Sequence, residues 1–134
     1  MGTNITGKTR YKSFREFPVW KDSINISKRV FKLSEVLPKS EDYGLTSQLR
    51  RSANSISANI AEAFGREHLK DKQNFYRISR GSAYELQSHL IYAKEVKYFS
   101  YKDVNILDEG IDKVIHSLNK IIKTLRYYKK LEDK

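Results

Sequence analysis

Two pairs of an acidic residue and a histidine have the spacing that a helical metal site would use. Glu85 and His89 are four residues apart, as are Asp112 and His116, so each pair would share one helix face. A two-metal site in a helical bundle needs inward-facing carboxylates and Glu-x-x-His pairs from several helices. The Asp112 pair falls on the polar face of its helix, which leaves one pair where two are required. We therefore expect no metal and no cofactor; the alternative, a metal-binding bundle, is tested by elemental analysis.

The serines of the chain have no base with which to perform nucleophilic catalysis. Those at positions 47–57 share their predicted helix with no histidine, and His68 lies beyond its end. Serines inside helices commonly donate to the carbonyl one turn back. No glycine-rich run precedes a helix, so a phosphate-binding loop is not predicted. The chain has no cysteine, which excludes thiolate chemistry, and the sequence predicts a protein that is not an enzyme.

Polar side chains form a stripe along residues 43–66, beside an apolar stripe with the same helical spacing. The polar stripe has three interpretations: a solvated face, a buried hydrogen-bond network that fixes helix register or a subunit contact, or a ligand site. A buried network needs full pairing, because each unpaired group costs about 1–3 kcal/mol. Gly81 stands on the next predicted helix, where a close helix crossing would offset its cost. The predicted structural network comprises Ser55, Asn59, Glu62, Ser82 and Glu85.

Basic residues dominate the charge of the chain and indicate a polyanionic partner. The 26 Lys and Arg against 16 Asp and Glu give a formal net charge of +10, a balance that favours nucleic acid. Tyrosines lie among these cations and could stack on exposed bases. The alternative is a protein-interaction scaffold whose basic residues only maintain solubility. The predicted RNA- or DNA-binding residues are Arg50, Arg51, Arg66, Lys70, Arg77, Arg80, Lys123, Arg126, Lys129 and Lys130, with Lys72 and Lys120 beside them.

Four segments with helical periodicity must position these side chains. Pro18 suits a first helical turn, Gly65 a left-handed C-terminal cap, and Ser100 an N-cap. Pro38 ends the first helix, because the residue before proline is pushed out of helical geometry. The second and third helices are predicted over residues 45–64 and 69–97, and the fourth follows Ser100.

The apolar seams of the last two helices predict how they pack. The fourth helix has a heptad pattern, which suits bundle packing, through Val104, Leu107, Ile111, Val114, Leu118, Ile121, Leu125 and Tyr128. The predicted core seam of the third helix is Phe75, Ile78, Ser82, Leu86, Leu90, Ala93 and Val96. Short connections favour neighbours that run in opposite directions. We therefore predict an all-α fold, an antiparallel up-down-up-down four-helix bundle.

The chain divides into three predicted parts and is expected to be cytoplasmic. Residues 1–16 form a flexible basic N-terminal arm, residues 17–130 the bundle domain, and residues 131–134 a C-terminal tail. No apolar run approaches the roughly 18 residues that a membrane span needs, and the N-terminus lacks the apolar core of a signal peptide. We therefore expect no membrane partner.

The run YGLTSQLRRSANSISANIAEAFGR, residues 43–66, resembles the signature of a bacterial family of four-helix-bundle proteins encoded in intervening sequences of 23S ribosomal RNA genes. The preceding FPVWKDS and the later RGSAYEL are similar to further motifs of that family. The resemblance covers about residues 14–128. Ser57 stands where proline is common and Ala63 where glycine is common, so we expect a weaker kink in this helix.

The resemblance implies an antiparallel four-helix bundle that assembles as a ring-like homopentamer. A related branch, the accessory proteins of diversity-generating retroelements, binds nucleic acid and a reverse transcriptase. The biochemical role of the family itself is largely unassigned. The expected partners are therefore further copies of the chain, as a homo-oligomer and specifically a pentamer, together with RNA or DNA.

Overall fold

A computed structural model describes residues 11–134. This part of the chain is all-helical, as predicted, and contains no strand. Within this range no helix combines the length and the apolarity that crossing a membrane requires. Two short 3-10 helices, Phe14–Glu16 and Lys39–Glu41, accompany four long helices. The long helices are α1 (Pro18–Ser34), α2 (Leu45–Gly65), α3 (Leu69–Glu95) and α4 (Tyr101–Glu132).

The link between α3 and α4 is fixed by hydrogen bonds at both helix ends. Ser100 is the N-cap of α4, as predicted, and its Oγ accepts from the backbone N–H of Asp103 at 3.1 Å. The third helix ends two residues earlier than predicted because Lys97 adopts a left-handed conformation with φ of 67°. The N–H of Tyr98 then donates back to the carbonyl of Ala93 at 2.8 Å, the pattern of a Schellman cap.

The end of α2 is satisfied by a lysine and not by the predicted left-handed glycine. Gly65 is the last helical residue, and the cap residue Arg66 is extended, with φ of −85° and ψ of 146°. Lys72 Nζ donates to the carbonyls of Ala63 and Phe64 at 3.1 and 3.2 Å. The Ala63 carbonyl also accepts from the Arg66 N–H at 3.2 Å, so Lys72 adds a second donor at Ala63 and supplies one at Phe64. The prediction of a left-handed Gly65 was wrong.

A single apolar core lies between the four helices. α2 contacts α1 and α3, and α4 contacts α3 and α1. The predicted apolar stripe of α2 and heptad of α4 are confirmed in their main members, whereas Tyr128 is exposed. α2 is one uninterrupted helix across Ser57. The fully buried residues of these two helices include Leu49, Ile56, Ile60, Ile111, Val114, Leu118 and Leu125.

Polar contacts between neighbouring helices fix their relative register. The interhelical hydrogen bonds are Ser27–Ala53 and Arg50–Ser34 between α1 and α2, Ser79–Ile56 and Ser82–Ser55 between α2 and α3, and Arg80–Asn119 and Gln87–Asp112 between α3 and α4.

The buried face of α3 differs from the predicted seam. Ile78 and Val96, assigned to the core, are 50% and 43% exposed. Ser79 and Ala83 are fully buried in their place, and Ser79 Oγ donates to the carbonyl of Ile56 at 2.8 Å. Small side chains let α3 approach α2 closely, and the bonded serine hydroxyl is buried without penalty. The apolar pattern was therefore right for Leu86, Leu90 and Ala93 and wrong for Ile78 and Val96.

The predicted boundaries of the N-terminal arm and the C-terminal tail differ from the limits of the packed helical structure. Residues 1–10 of the arm lie outside the described residues. Phe14, which was assigned to the arm, packs its ring against Trp20 with centroids 5.1 Å apart, and Tyr11 packs likewise against Phe17 at 5.3 Å. Residues 11–16 therefore belong with the bundle. α4 continues to Glu132, two residues past the predicted domain boundary.

Candidate nucleic-acid interface

One end of the bundle gathers the start of α1, the end of α2, the start of α3 and the end of α4. The rings of Phe17 and Phe64 pack with centroids 5.3 Å apart, and Arg80 reaches Asn119 at 2.9 Å. The "basic end" is defined here as residues 11–21, 61–80 and 117–134. The "neutral end" is the rest of the described chain, residues 22–60 and 81–116.

The charge of the protein is divided unequally between these two ends. The basic end holds fourteen Lys and Arg against six Asp and Glu, a net charge of +8. The neutral end holds ten of each, a net charge of 0. The remaining +2 lies in residues 1–10. A charge excess concentrated on one end creates a positive potential there, which attracts polyanions.

Eight of the ten predicted binding residues lie at the basic end, on three of its helical segments. Lys70, Lys123, Arg126 and Lys130 are exposed to solvent. Tyr127 and Tyr128 are also exposed beside them, by 60% and 39%. The other four predicted residues at this end make contacts within the protein. They are Arg66, Arg77, Arg80 and Lys129.

Those contacts hold the side chains in place while leaving most of them accessible. Arg66 pairs with Glu62 at 3.3 Å and lies over the Phe75 ring, 4.7 Å from its centroid. Lys129 pairs with Asp133 at 2.6 Å, a hydrogen bond that raises the pKa of Lys129. Exposed pairs of this kind contribute little to stability, so a phosphate can compete for these cations.

Lys72, which was named beside the ten predicted binding residues, is buried and is not available to nucleic acid. It is 7% exposed, and its Nζ caps the end of α2. Burial lowers the pKa of Lys72. Sequence gave no sign of this role, because a lysine between polar residues normally points to solvent.

Arg50 and Arg51 lie apart from the other predicted binding residues, at the neutral end. Arg50 Nε donates to Ser34 Oγ at 2.8 Å, and the guanidinium lies 4.2 Å from the centroid of the Phe31 ring. Arg51 donates to Gln48 Oε1 at 2.9 Å and forms a salt bridge with Glu85. The ten predicted residues therefore form two groups and not one surface.

The predicted polar network is present in part and is divided into two clusters. Ser82 Oγ donates to Ser55 Oγ at 2.8 Å, and Asn59 Nδ2 donates to the same serine at 3.0 Å. These three side chains join α2 to α3. Glu62 is exposed and pairs with Arg66 on its own helix, so it does not extend the chain of hydrogen bonds.

Glu85 belongs to the second cluster, with Arg51 and His89. Its Oε2 accepts from Arg51 and lies 3.1 Å from His89 Nε2. Partial burial raises the pKa of Glu85, but the hydrogen bonds from His89 and Arg51 outweigh it and hold that pKa below its ordinary value. The carboxylate is therefore charged near neutral pH and fixes Arg51.

The two acidic–histidine pairs do not come together in the structure. Asp112 accepts from Gln87 Nε2 at 2.7 Å, and its neighbour His116 is exposed. Glu85 is engaged by Arg51. Among residues 11–134, no three His, Asp or Glu side chains form a group able to hold a metal ion.

A cleft between α1 and α2 contains residues that the sequence analysis did not assign to a site. It measures about 690 Å³, and its lining includes Tyr43 and Thr46 together with Arg50 and Arg51. The spacing of these residues could have indicated the α2 side of the cleft, because one helical face carries positions 43, 46, 47, 50, 51 and 54. The part contributed by α1 could not be inferred from that spacing.

The fold and the charge distribution define a helical bundle with one strongly basic end. A sequence model of the family described as 23S rRNA-intervening sequence protein matches residues 15–120. The chain belongs to this family.

A solved structure from Bacteroides thetaiotaomicron VPI-5482, a protein with unknown function from the S23 ribosomal protein family, has the same fold. Its TM-score is 0.73 at 24% sequence identity, over 78% of this chain and 98% of that chain. At this identity the likeness concerns the fold alone. A comparison with curated proteins gives no match.

Proposed function

We propose that the protein is a non-enzymatic, homo-oligomeric bundle that binds RNA or DNA electrostatically through its basic end. The observation that carries this proposal is the division of charge, +8 at the basic end against 0 at the neutral end. Neutralising phosphates with Lys and Arg releases condensed counterions, which drives binding without a sequence preference. The setting that the family resemblance implies is a bacterial cytoplasm.

The exposed side chains of α4 fit this role. Lys123, Arg126 and Lys130 are spaced by three and four residues along one helix and are exposed, so they can follow a phosphate backbone. Tyr127 and Tyr128 pack edge to face with centroids 5.4 Å apart. Their exposed surfaces can contact bases or sugars between the phosphates.

A salt titration of nucleic-acid binding tests the proposal. Fluorescence anisotropy with a labelled 20-nucleotide RNA and the corresponding duplex would be recorded at several salt concentrations. We expect the logarithm of the association constant to fall linearly with the logarithm of salt. Binding that is micromolar or weaker at low salt, without a salt slope, would contradict the proposal.

The antiparallel up-down-up-down topology is supported by the order of the interhelical hydrogen bonds. Ser82 reaches Ser55 on α2, whereas the earlier Ser79 reaches the later Ile56. The same reversal holds between α3 and α4. With connections this short, consecutive helices then run in opposite directions.

Self-association is supported by the outward face of α3. Among residues 11–134 nothing from another element lies within 4 Å of a Cβ placed on Gly81, so the described part of the chain does not make the close crossing expected at this glycine. Ile78 and Tyr84 are 50% and 53% exposed on either side of it. A second subunit could approach this face closely. Light scattering is expected to give five times the 15.7 kDa of one chain, and a monodisperse monomer would contradict this.

A protein-interaction scaffold is the second candidate function, and a cleft between α1 and α4 favours it. The cleft measures about 570 Å³, and Ile106 on its wall is 46% exposed. Val36 nearby is 71% exposed. A pull-down that retains one protein partner after nuclease treatment would favour the scaffold, and loss of all partners with nuclease would favour nucleic-acid binding. A relation to retroelement accessory proteins would predict a polymerase among the partners.

A further inference from the structure

The cleft between α1 and α2 at the neutral end, named here the Tyr43 cleft, combines aromatic, basic and hydroxyl side chains. It measures about 690 Å³, and six of its lining residues carry the argument below: Phe31, Tyr43, Thr46, Ser47, Arg50 and Arg51. None of them belongs to the basic end. Their side chains are the types that recognise the base and the phosphate of a nucleotide.

Two aromatic rings lie at this cleft, of which the Tyr43 ring is open to solvent and the Phe31 ring is covered by Arg50. Tyr43 is 101% exposed, so its ring contributes nothing to the core. Phe31 is 52% exposed, and the guanidinium of Arg50 covers it at 4.2 Å from the ring centroid. Contact between water and a large apolar ring is unfavourable, and a base stacked on the ring would remove that contact.

The backbone beneath Tyr43 is held firmly in place. Glu41 Oε1 accepts from the N–H of Leu45 at 3.1 Å, and Glu41 Oε2 accepts from the Tyr98 hydroxyl at 2.9 Å. These two bonds tie the start of α2 to the link between α3 and α4. The Tyr43 ring is therefore presented from a fixed turn, which reduces the entropy lost when a ligand binds.

The two arginines can hold a phosphate group beside the rings. Arg50 is fixed through Nε by Ser34 at 2.8 Å, and Arg51 is fixed by Gln48 at 2.9 Å and by Glu85. A guanidinium has five N–H donors, so each arginine keeps donors for a further acceptor. Both lie one to two turns into α2, whose N-terminal end favours anions.

Thr46 carries a hydroxyl that is closed to solvent, and its side chain would have to rotate before a ligand in the cleft could bond to it. Its side chain lines the cleft and is 8% exposed, and its Oγ1 has no hydrogen-bond partner among the described residues. A buried hydroxyl without a partner costs about 1–3 kcal/mol. Asp42 lies on the same lining, where its carboxylate would accept from a base amino group or a sugar hydroxyl and would keep the phosphate at the arginines.

We propose that the Tyr43 cleft binds one nucleotide of single-stranded RNA or DNA, with its base on the Tyr43 ring and its phosphate at Arg50 and Arg51. The proposal rests on nucleic-acid binding and deepens it. In a duplex both faces of each base are covered by neighbours, so stacking on Tyr43 requires an unpaired base. The basic end then supplies affinity for any strand, and the cleft selects single strands.

A tyrosine replacement tests the cleft, since Tyr43→Ala removes a fully exposed ring and should leave folding intact. Binding of a 12-nucleotide single strand would be compared with binding of an abasic strand of equal length. We expect Tyr43→Ala to weaken binding of the base-bearing strand about 5- to 50-fold, with no change for the abasic strand. Tyr43→Phe should restore the wild-type affinity. Tyr92→Ala, a replacement at an exposed tyrosine on α3 to which no binding role is assigned, is the control.

An NMR titration with the dinucleotide pTpT and with inorganic phosphate separates this inference from the wider function. Shifts of Tyr43, Thr46 and Ser47 amides with pTpT, in a protein that binds no polymer, would support the cleft and contradict the proposed function. Polymer binding with no such shifts, and with Tyr43→Ala equal to Tyr92→Ala, would overturn the cleft alone. Shifts with phosphate equal to those with pTpT would also overturn it, because no base would then be recognised.

Discussion

The basic end and the Tyr43 cleft carry cations in different ways. At the basic end, Lys70, Lys123 and Lys130 are exposed, and the net charge is +8. In the cleft, Arg50 and Arg51 are each fixed by hydrogen bonds, in an end with a net charge of 0. Mobile charges attract any polyanion, whereas fixed donors beside aromatic rings favour a particular group. If the proposed function holds, this difference would separate affinity for nucleic acid from selectivity for single strands within one small domain.

The two regions are joined by a single rigid element. α2 carries Arg50 near one end and Arg66 just beyond the other, about 24 Å apart at 1.5 Å per residue. Leu49, Ile56 and Ile60 along its inner face are fully buried. Since the core fixes this helix, the distance between the regions is set by the fold.

The largest expected effect comes from Leu49→Ala, which should disrupt both regions together. Leu49 is 0% exposed, so the truncation leaves a cavity and should lower the free energy of unfolding by about 2–5 kcal/mol. Urea unfolding at fixed protein concentration measures the change. Val36→Ala, at a site that is 71% exposed, should change it by less than about 0.5 kcal/mol. Equal changes in the free energy of unfolding for Leu49→Ala and Val36→Ala would contradict the placement of Leu49 in the core.

The variant Lys72→Met tests whether a cation at the basic end stabilises the fold or binds nucleic acid. The carbonyls of Ala63 and Phe64 lose their charged donor, so the free energy of unfolding should fall by about 1–3 kcal/mol. The salt slope of RNA binding should not change. Lys70→Met, at an exposed neighbour, should do the reverse, with unchanged stability and a salt slope lower by about 1. A reduced salt slope for Lys72→Met would return this lysine to the binding set.

Lys97→Gly should stabilise the neutral end without altering binding. A left-handed φ of 67° at Lys97 strains any residue with a Cβ, so glycine should raise the free energy of unfolding by about 0.5–1 kcal/mol. Lys94→Gly removes the same charge inside α3 and should lower it by about 1 kcal/mol. Weaker RNA binding by Lys97→Gly would show that Lys97 itself contributes to binding.

The smallest effect is a pH dependence at Glu85. Because the folded state lowers the pKa of Glu85, the carboxylate stabilises the fold above its unfolded pKa of about 4.3 and loses this contribution as the pH falls. Wild type should therefore exceed Glu85→Gln in stability by a few tenths of a kcal/mol at pH 7 and by less at pH 3, since the pair is partly exposed and screened. A difference that grows towards pH 3 would contradict this.

The sequence predicted the fold well where apolar spacing decides packing. The stripe of Leu49, Ile56 and Ile60 and the heptad of α4 emerged from periodicity alone, because large apolar residues there have one buried direction. Periodicity did not identify Ser79 and Ala83 on the buried face of α3. These small residues pack closely against α2 and do not stand out in an apolar pattern.

The candidate sites were predicted less completely than the fold. The exposed cations of α4 follow from composition, but a list of basic residues does not show that Lys72 is buried or that Arg50 lies far from Arg66. The Tyr43 cleft needs Phe31 from α1, and that pairing depends on tertiary contacts. The spacing of positions 43 to 54 indicated one helical face without indicating its neighbour.

A matched pair of charge-reversal variants tests the central claim most directly. Lys123→Glu/Arg126→Glu/Lys130→Glu alters the basic end, and Lys28→Glu/Lys32→Glu/Lys113→Glu alters the neutral end, at six exposed positions. Both variants have the same formal net charge. The basic-end variant should bind RNA about 30-fold or more weakly, with a salt slope lower by about 3, while the neutral-end variant binds nearly as wild type. Equal losses in the two variants would show that net charge alone, and not its position, governs binding.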